Sequence, residues 1–236
     1  MNNPNGNHTA STRIALVLDR SGSMARIREA ARDAFNEAIS RVQIDAAQNA
    51  SSGMETTLSV VTFNHEVDDK LVNAPVRRAR MLGHDDYHPG GSTALLDATA
   101  HAIDLIERAG PLGERDGALV IVISDGHENA STQVSQGDLV ERMQKLEGTE
   151  QWTFSFLMAN VDITDLSRQL RTEASNYAAW NASAAGAHAM KEDLAVGMTD
   201  YMFDRRAGMR SKKEFFEKKS LEKQVVERRR TRRSRS

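Results

Sequence analysis

Two short, mostly apolar segments, each with an aspartate at its end, limit most strongly how this chain can fold. They are RIALVLD at residues 13–19 and GALVIVISDG at residues 117–126. Short runs of this kind are typical of strands buried on both faces, which occur mainly in parallel sheets covered by helices. No apolar run approaches the roughly 20 residues that cross a bilayer as a helix, so we expect no membrane-spanning segment.

Segments with helical periodicity alternate with the strand-like segments. The predicted helices cover residues 24–48, 94–109, 135–147, 165–171 and 184–203. Further strands are predicted at residues 56–64, 66–75, 152–160 and 176–183. This alternation predicts an α/β fold: a Rossmann-like, doubly wound, mostly parallel central sheet with helices on both faces and one short antiparallel edge strand.

The composition narrows the cellular setting and the chemistry. Cysteine is absent, which excludes disulfide bonds, thiol chemistry and cysteine-ligated zinc. The polar segment at residues 1–12 lacks the apolar core of a secretory signal, so we expect it to be disordered and the protein to be cytoplasmic. The alternating pattern then fills residues 13–204, which is the size of one α/β domain.

Charge is distributed unevenly along the chain. Residues 205–236 contain 14 Lys and Arg against four Glu, a net charge of +10, so residues 1–204 carry −12 because the whole chain carries −2. We expect this basic extension to be partly helical or disordered. Its arginine-rich end could bind nucleic acid or another polyanion, dock a protein, or stay solvated. The candidate polyanion-binding residues are Arg228, Arg229, Arg230, Arg232, Arg233 and Arg235.

Three loops deliver oxygen-bearing side chains to one edge of the predicted sheet. Carboxyl ends of parallel strands meet at the same edge, where ligands of open α/β sheets bind. One further loop, PGGSTALLDA at residues 89–98, precedes a predicted helix, where a hydroxyl can cap the helix or serve as an oxygen donor. The candidates are Asp19, Ser21 and Ser23, then Ser92 and Thr93, then Asp125.

This donor set predicts which ion would bind and what it would do. Hard oxygen donors favour Mg²⁺, or Mn²⁺, over zinc or copper. Three neutral hydroxyls and two carboxylates leave a divalent ion short of ligands and incompletely neutralised. Such an ion can accept one more carboxylate from a partner, which favours binding over hydrolysis.

Two other interpretations of the first loop compete with a metal site. Asp19, Ser21 and Ser23 could form only a turn and a helix cap, since Ser and Asp favour both. A phosphatase of the haloacid dehalogenase type would place a second aspartate two residues after its nucleophile as general acid, but Ser21 occupies that position and cannot do this work near neutral pH. The GxxxxGK loop of nucleotide hydrolases is also absent. We therefore expect that the protein is not an enzyme.

The same residues resemble the metal-ion-dependent adhesion site (MIDAS) of the von Willebrand factor type A domain. The resemblance is carried by DRSGS at residues 19–23, GGST with Thr93 and SDG with Asp125, and it extends over residues 13–203 with FNHEV, GGSTALLDA and ISDGHEN. It implies Mg²⁺ held by Ser21, Ser23 and Thr93, with Asp19 and Asp125 coordinating directly or through water. It also implies a protein partner that donates an Asp or Glu to the ion. The chain would then be an adaptor or assembly factor, similar to the standalone cytoplasmic type A proteins of bacteria and phages.

Several residues near these loops have roles that the sequence leaves open. Asp97 could support the site, because helical spacing puts it on the same face as Thr93, or it could equally lie on the helix surface or cap a buried group. Ser92, Gly126 and His127 could lie on the rim of the site. The alternative function is a nucleic-acid or polyanion-associated protein that binds through its basic extension while the domain recruits a partner.

Overall fold

The computed structural model describes residues 10–125, 128–159, 176–180, 184–211 and 214–216. These ranges hold six strands and four α-helices. The strands are β1 (Ser11–Asp19), β2 (Glu55–Phe63), β3 (Val67–Pro75), β4 (Gly117–Ser124), β5 (Trp152–Ala159) and β6 (Tyr177–Trp180), and the α-helices are α1 (Arg28–Gln48), α2 (Leu95–Arg108), α3 (Gln136–Glu147) and α4 (Ala184–Arg206). Within these ranges no helix is long and apolar enough to cross a membrane.

The six strands form one sheet in the order β3-β2-β1-β4-β5-β6. All neighbouring strands are parallel except β2 and β3, which pair antiparallel at the edge. The predicted fold class, with its single antiparallel edge strand, is confirmed. The order reverses between β1 and β4, and ligands of open α/β sheets bind at the carboxyl ends of the strands beside such a reversal.

Both faces of the sheet are covered, as the apolar runs predict. Alternate residues of a strand point to opposite faces. Ile14, Leu16 and Leu18 of β1 belong to the core under α1 and α4, whereas Ala15 and Val17 belong to the core under α2 and α3. This alternation explains why β1 is apolar at every position from Ile14 to Leu18.

The start of the first predicted helix differs from the prediction. The sequence predicts one helix over residues 24–48, but the chain forms a 3-10 turn at Gly22–Ile27 before α1 begins at Arg28. Met24 and Ile27 are buried in the 3-10 turn, and their spacing would also allow burial in an α-helix. Apolar periodicity alone therefore does not distinguish the two helix types. The predicted helix at residues 165–171 lies outside the described residues.

Packing extends beyond the predicted domain limits at residues 13 and 204. Strand β1 begins at Ser11, and Arg205 is only 3% exposed. Phe215 and Phe216 are buried in the core under α1 and α4, and the Phe215 N–H donates to Asn176 Oδ1 at 3.1 Å. The composition of the chain becomes basic at residue 205, but buried residues of the folded body extend as far as Phe216.

Candidate metal centre

Asp19 lies fully buried at the carboxyl end of β1, and hydrogen bonds hold its carboxylate from two sides. Its Oδ1 accepts from the Ser21 N–H at 2.6 Å, and its Oδ2 accepts from Ser124 Oγ at 2.5 Å. The Tyr87 hydroxyl donates to the Asp19 carbonyl oxygen at 2.5 Å. The loop after β1 and the end of β4 therefore fix this carboxylate together.

A chain of hydroxyls links this loop to the loop after β4. Ser21 Oγ and Ser23 Oγ lie 3.1 Å apart, and Ser23 Oγ donates to Asp125 Oδ1 at 2.6 Å. Ser21 precedes the 3-10 turn, but its side chain makes no capping hydrogen bond there. In the described part of the chain, the side chains of these serines therefore contact each other and Asp125 and do not cap the turn.

The third loop is joined to the first by backbone hydrogen bonds. The Gly22 N–H donates to the Gly91 carbonyl at 2.9 Å, and the Gly90 N–H donates to the Arg20 carbonyl at 2.7 Å. Gly91 has a φ of +82°, a backbone conformation that L side chains rarely adopt, so the loop that approaches the first one requires glycine at this position.

Thr93 is buried in this third loop, and its backbone is held by a partner that the sequence does not reveal. The Thr93 N–H donates to Asn129 Oδ1 at 2.8 Å, and the Asn129 N–H donates to the Thr93 carbonyl at 3.1 Å. Asn64 holds the same loop from the other side, since its Nδ2 donates to the Gly90 carbonyl at 2.7 Å. Asn64 and Asn129 fall in FNHEV and ISDGHEN, but neither segment indicates which atoms they contact.

The helix after this loop is capped by side chains from elsewhere in the chain, and not by a hydroxyl of Ser92 or Thr93. The Leu96 N–H donates to Glu128 Oε2 at 3.0 Å and to Ser131 Oγ at 3.1 Å. Burial opposes ionisation of Glu128, but hydrogen bonds from Ser131, Leu96 and Ala130 outweigh it and lower the pKa of that carboxyl. The Thr93 hydroxyl is therefore not used for capping, and Ser92 is exposed.

Asp97 is buried and accepts hydrogen bonds from the backbone of another loop. Its carboxylate accepts from the backbone N–H groups of Thr132, Gln133 and Val134 at 2.9, 3.1 and 2.9 Å. Asp97 therefore anchors the loop that follows Glu128, and the structure gives it no hydrogen bond to the five predicted metal ligands.

The remaining predicted site residues lie outside the described residues. They are Gly126, His127, Arg228, Arg229, Arg230, Arg232, Arg233 and Arg235. His84, Asp85 and His88, which precede the third loop, are exposed.

The electrostatics of the site fit a hard divalent cation. Burial raises the pKa of Asp19 to about 6 and also raises the pKa of Asp125, because charged carboxylates are poorly solvated there. Among the described residues no group of three or more His, Asp or Glu could hold a metal alone. Serine and threonine hydroxyls together with two carboxylates supply hard oxygen atoms, and a cation among them would offset the buried negative charge.

Solved structures show which fold this is. Over 82% of its length the chain is similar to a von Willebrand factor type A protein from Catenulispora acidiphila, with a TM-score of 0.55 and 17% identity. It is also similar to the pilus adhesin SpaC from Lactobacillus rhamnosus GG, with a TM-score of 0.62, 12% identity and 83% of the chain covered. The chain has a von Willebrand factor type A fold.

A third similar structure concerns the metal directly. Proximal thread matrix protein 1 from the mussel byssus, in a structure with a zinc-occupied MIDAS motif, matches 80% of this chain with a TM-score of 0.52 and 13% identity. The chain spans 43%, 31% and 46% of the lengths of these three type A structures, respectively. No protein-family model and no curated protein matches the sequence.

Proposed function

We propose that this type A domain is a divalent-metal-dependent protein-binding module. Ser21, Ser23 and Thr93 would hold Mg²⁺, with Asp19 and Asp125 coordinating directly or through water. The observation that carries the proposal is the hydrogen-bonded chain from Asp19 through both serines to Asp125, beside the buried Thr93. When bound, the ion would offer an open coordination position to the carboxylate of an Asp or Glu from a partner protein.

Binding is favoured over catalysis by the groups around the site. Apart from the two carboxylates proposed as metal ligands, the described side chains that hydrogen-bond at this site are hydroxyls, and Tyr87, the one with an ordinarily titratable proton, has its pKa raised by burial. None of these groups is suited to donate a proton to a leaving group near neutral pH. The adhesin and matrix protein among the similar structures support a protein-interaction role. Magnesium-dependent turnover of p-nitrophenyl phosphate, lost in Asp19→Ala, would contradict the proposal.

The first experiment is a thermal melt in EDTA and in about 10 mM MgCl₂. If the site binds Mg²⁺ with millimolar affinity, the folded protein should be stabilised by about 1.4 kcal/mol through mass action. For a chain of this size, the melting temperature should then rise by roughly 3–6 °C. Asp19→Ala and Thr93→Ala should abolish the shift. The matched control is Asp85→Ala, since that side chain is 98% exposed and lies outside the site. A wild-type protein that does not respond to Mg²⁺ or Mn²⁺ would count against the proposal.

A second proposed function rests on the charge asymmetry of the chain. The +10 extension could hold nucleic acid or another polyanion while the type A domain recruits a partner. A chain truncated after Phe216 keeps the packed residues and removes the arginine-rich end. If the extension binds polyanions, this variant should lose salt-sensitive binding to duplex DNA but keep the Mg²⁺ response. Equal DNA binding by both proteins would contradict this role.

A further inference from the structure

Arg26 lies beside the proposed metal ligands because of the local helix type. Residues i and i+3 eclipse in a 3-10 helix, and Ser23 and Arg26 have this spacing within the 3-10 turn Gly22–Ile27. Ser23 in turn donates to Asp125 Oδ1. Arg26 is therefore on the same side of the turn as the hydroxyl that faces the site.

Arg26 is exposed, and among the described residues its guanidinium has no hydrogen-bond partner, unlike the arginines that follow it. Arg28 donates to the Tyr87 carbonyl, and Arg32 and Arg41 donate to carboxylates of their own helix. Within the described ranges no hydrogen bond or ion pair joins Arg26 to another side chain. Its charge nevertheless acts on Asp125: burial raises the pKa of that carboxyl, and the Ser23 hydrogen bond and the Arg26 charge lower it.

Arg26 places a positive charge beside the site on a part of the chain that is otherwise acidic. Residues 1–204 carry −12, so an acidic partner is repelled by most of this surface. An exposed guanidinium beside the site attracts such a partner locally. Its planar fork of N–H groups can donate two hydrogen bonds to a carboxylate in a defined orientation.

We propose that Arg26 is a second contact for the partner, and that the partner segment is an extended strand with two carboxylates in an Asp-x-Asp pattern. This inference rests on the proposed function: one carboxylate completes the coordination of the ion and the other pairs with Arg26. Three residues of a 3-10 turn rise about 6 Å, and side chains two apart in an extended strand lie on one side about 7 Å apart. The two spacings match, whereas neighbouring side chains of a strand point to opposite sides.

Two synthetic peptides of equal charge test this spacing. One carries Asp-Gly-Asp and the other carries Asp-Asp, both between Gly-Ala flanks with blocked ends. Their binding is measured by NMR titration in MgCl₂. The wild type should bind the Asp-Gly-Asp peptide about threefold to fivefold more tightly, as expected for an exposed charge pair. Arg26→Ala should remove this preference, and Arg26→Lys should keep part of it, because the charge stays while the fork is lost.

Arg41→Ala is the matched control, since Arg41 lies on α1 and pairs with Glu37. It should leave the preference unchanged. Equal affinity of the wild type for both peptides, or an equal loss of both in Arg26→Ala, would overturn the role of Arg26 while leaving metal-mediated carboxylate binding intact. Failure of both peptides to bind in MgCl₂ would overturn the proposed function and this inference together.

Discussion

At the scale of single residues, Asp19 shows how the candidate site opposes folding when no ion is bound. Two hydrogen bonds stabilise its carboxylate, yet burial raises its pKa to about 6. Its unfolded pKa is near 3.9, so between about pH 4 and pH 6 the folded protein binds more protons than the unfolded chain. The free energy of unfolding contributed by Asp19 therefore falls as pH rises through this window.

Asp19→Asn should stabilise the protein in EDTA and abolish the additional stabilisation that MgCl₂ gives the wild type. Near pH 7.5 the amide removes a buried charge, and the gain without metal should reach up to about 3 kcal/mol. Near pH 5 this gain should shrink, because wild-type Asp19 is then largely protonated. Since metal ligands must be deprotonated, the Mg²⁺ shift of the wild type should be smaller at pH 5 than at pH 7.5. Urea unfolding at both pH values measures each effect, and a pH-independent difference in EDTA would contradict the burial argument.

Asp97 provides a prediction about the loop that follows Glu128. Asp97→Ala would leave three backbone N–H groups without their acceptor, so the protein should lose about 2–4 kcal/mol. Amide hydrogen exchange at residues 132–134 should accelerate more than in β1. Asp104→Ala is the control, because Asp104 is a partly exposed partner of Arg142. Unchanged exchange at residues 132–134 would show that the loop does not depend on Asp97.

The sequence predicts where the candidate ligands lie in the fold much better than it predicts the contacts that hold them in place. Asp19 and Asp125 follow recognisable strands, so the topology alone brings them to one edge of the sheet. The contacts of Asn129 with Thr93 and of Glu128 with Leu96 join loops more than 30 residues apart. Such hydrogen bonds depend on how the loops fold onto one another, and neither periodicity nor composition encodes that.

At the scale of elements, strands and helices are predictable because each one buries a regular stripe. The 3-10 turn at Gly22–Ile27 is not, because Met24 and Ile27 can be buried by either helix type. This difference has a functional consequence. Three residues make a full turn of a 3-10 helix but less than a full turn of an α-helix, so the turn type aligns Arg26 with Ser23.

Helix α4 and the segment after it form one packed unit, which a double-mutant cycle can test. A Cβ on Gly197 would lie 2.5 Å from Phe215 Cε1. Gly197→Ala should therefore destabilise the protein, although alanine favours helix by about 1 kcal/mol. Phe215→Ala should cost about 3–5 kcal/mol. In the Phe215→Ala background, Gly197→Ala should cost less than in the wild type, because the contacts with the ring are gone and only the contact with the residue 215 carbonyl oxygen, at 2.8 Å, remains. Additive effects in urea unfolding would contradict direct packing.

At the scale of the whole molecule, truncations separate packing from charge. A chain ending at Phe216 should unfold at the same temperature as the full chain in EDTA, because it keeps every described residue. A chain ending at residue 204 should lose more than about 5 kcal/mol, since it lacks two buried phenylalanines and Arg205. Calorimetry compares the three proteins. Equal stability of the two truncated chains would place the limit of the folded body at residue 204.

Arg205 ties the two ends of this body together at the edge of the sheet opposite the candidate site. Its Nε donates to Thr12 Oγ1 at 3.0 Å and its Nη2 donates to the Ser11 carbonyl at 2.7 Å. Its Nη1 donates to the Met209 carbonyl at 2.6 Å. Tension applied between the two ends of the body would therefore act first on this guanidinium and on the packing of Phe215 and Phe216. The loops of the candidate site lie away from these contacts, at the far end of β1.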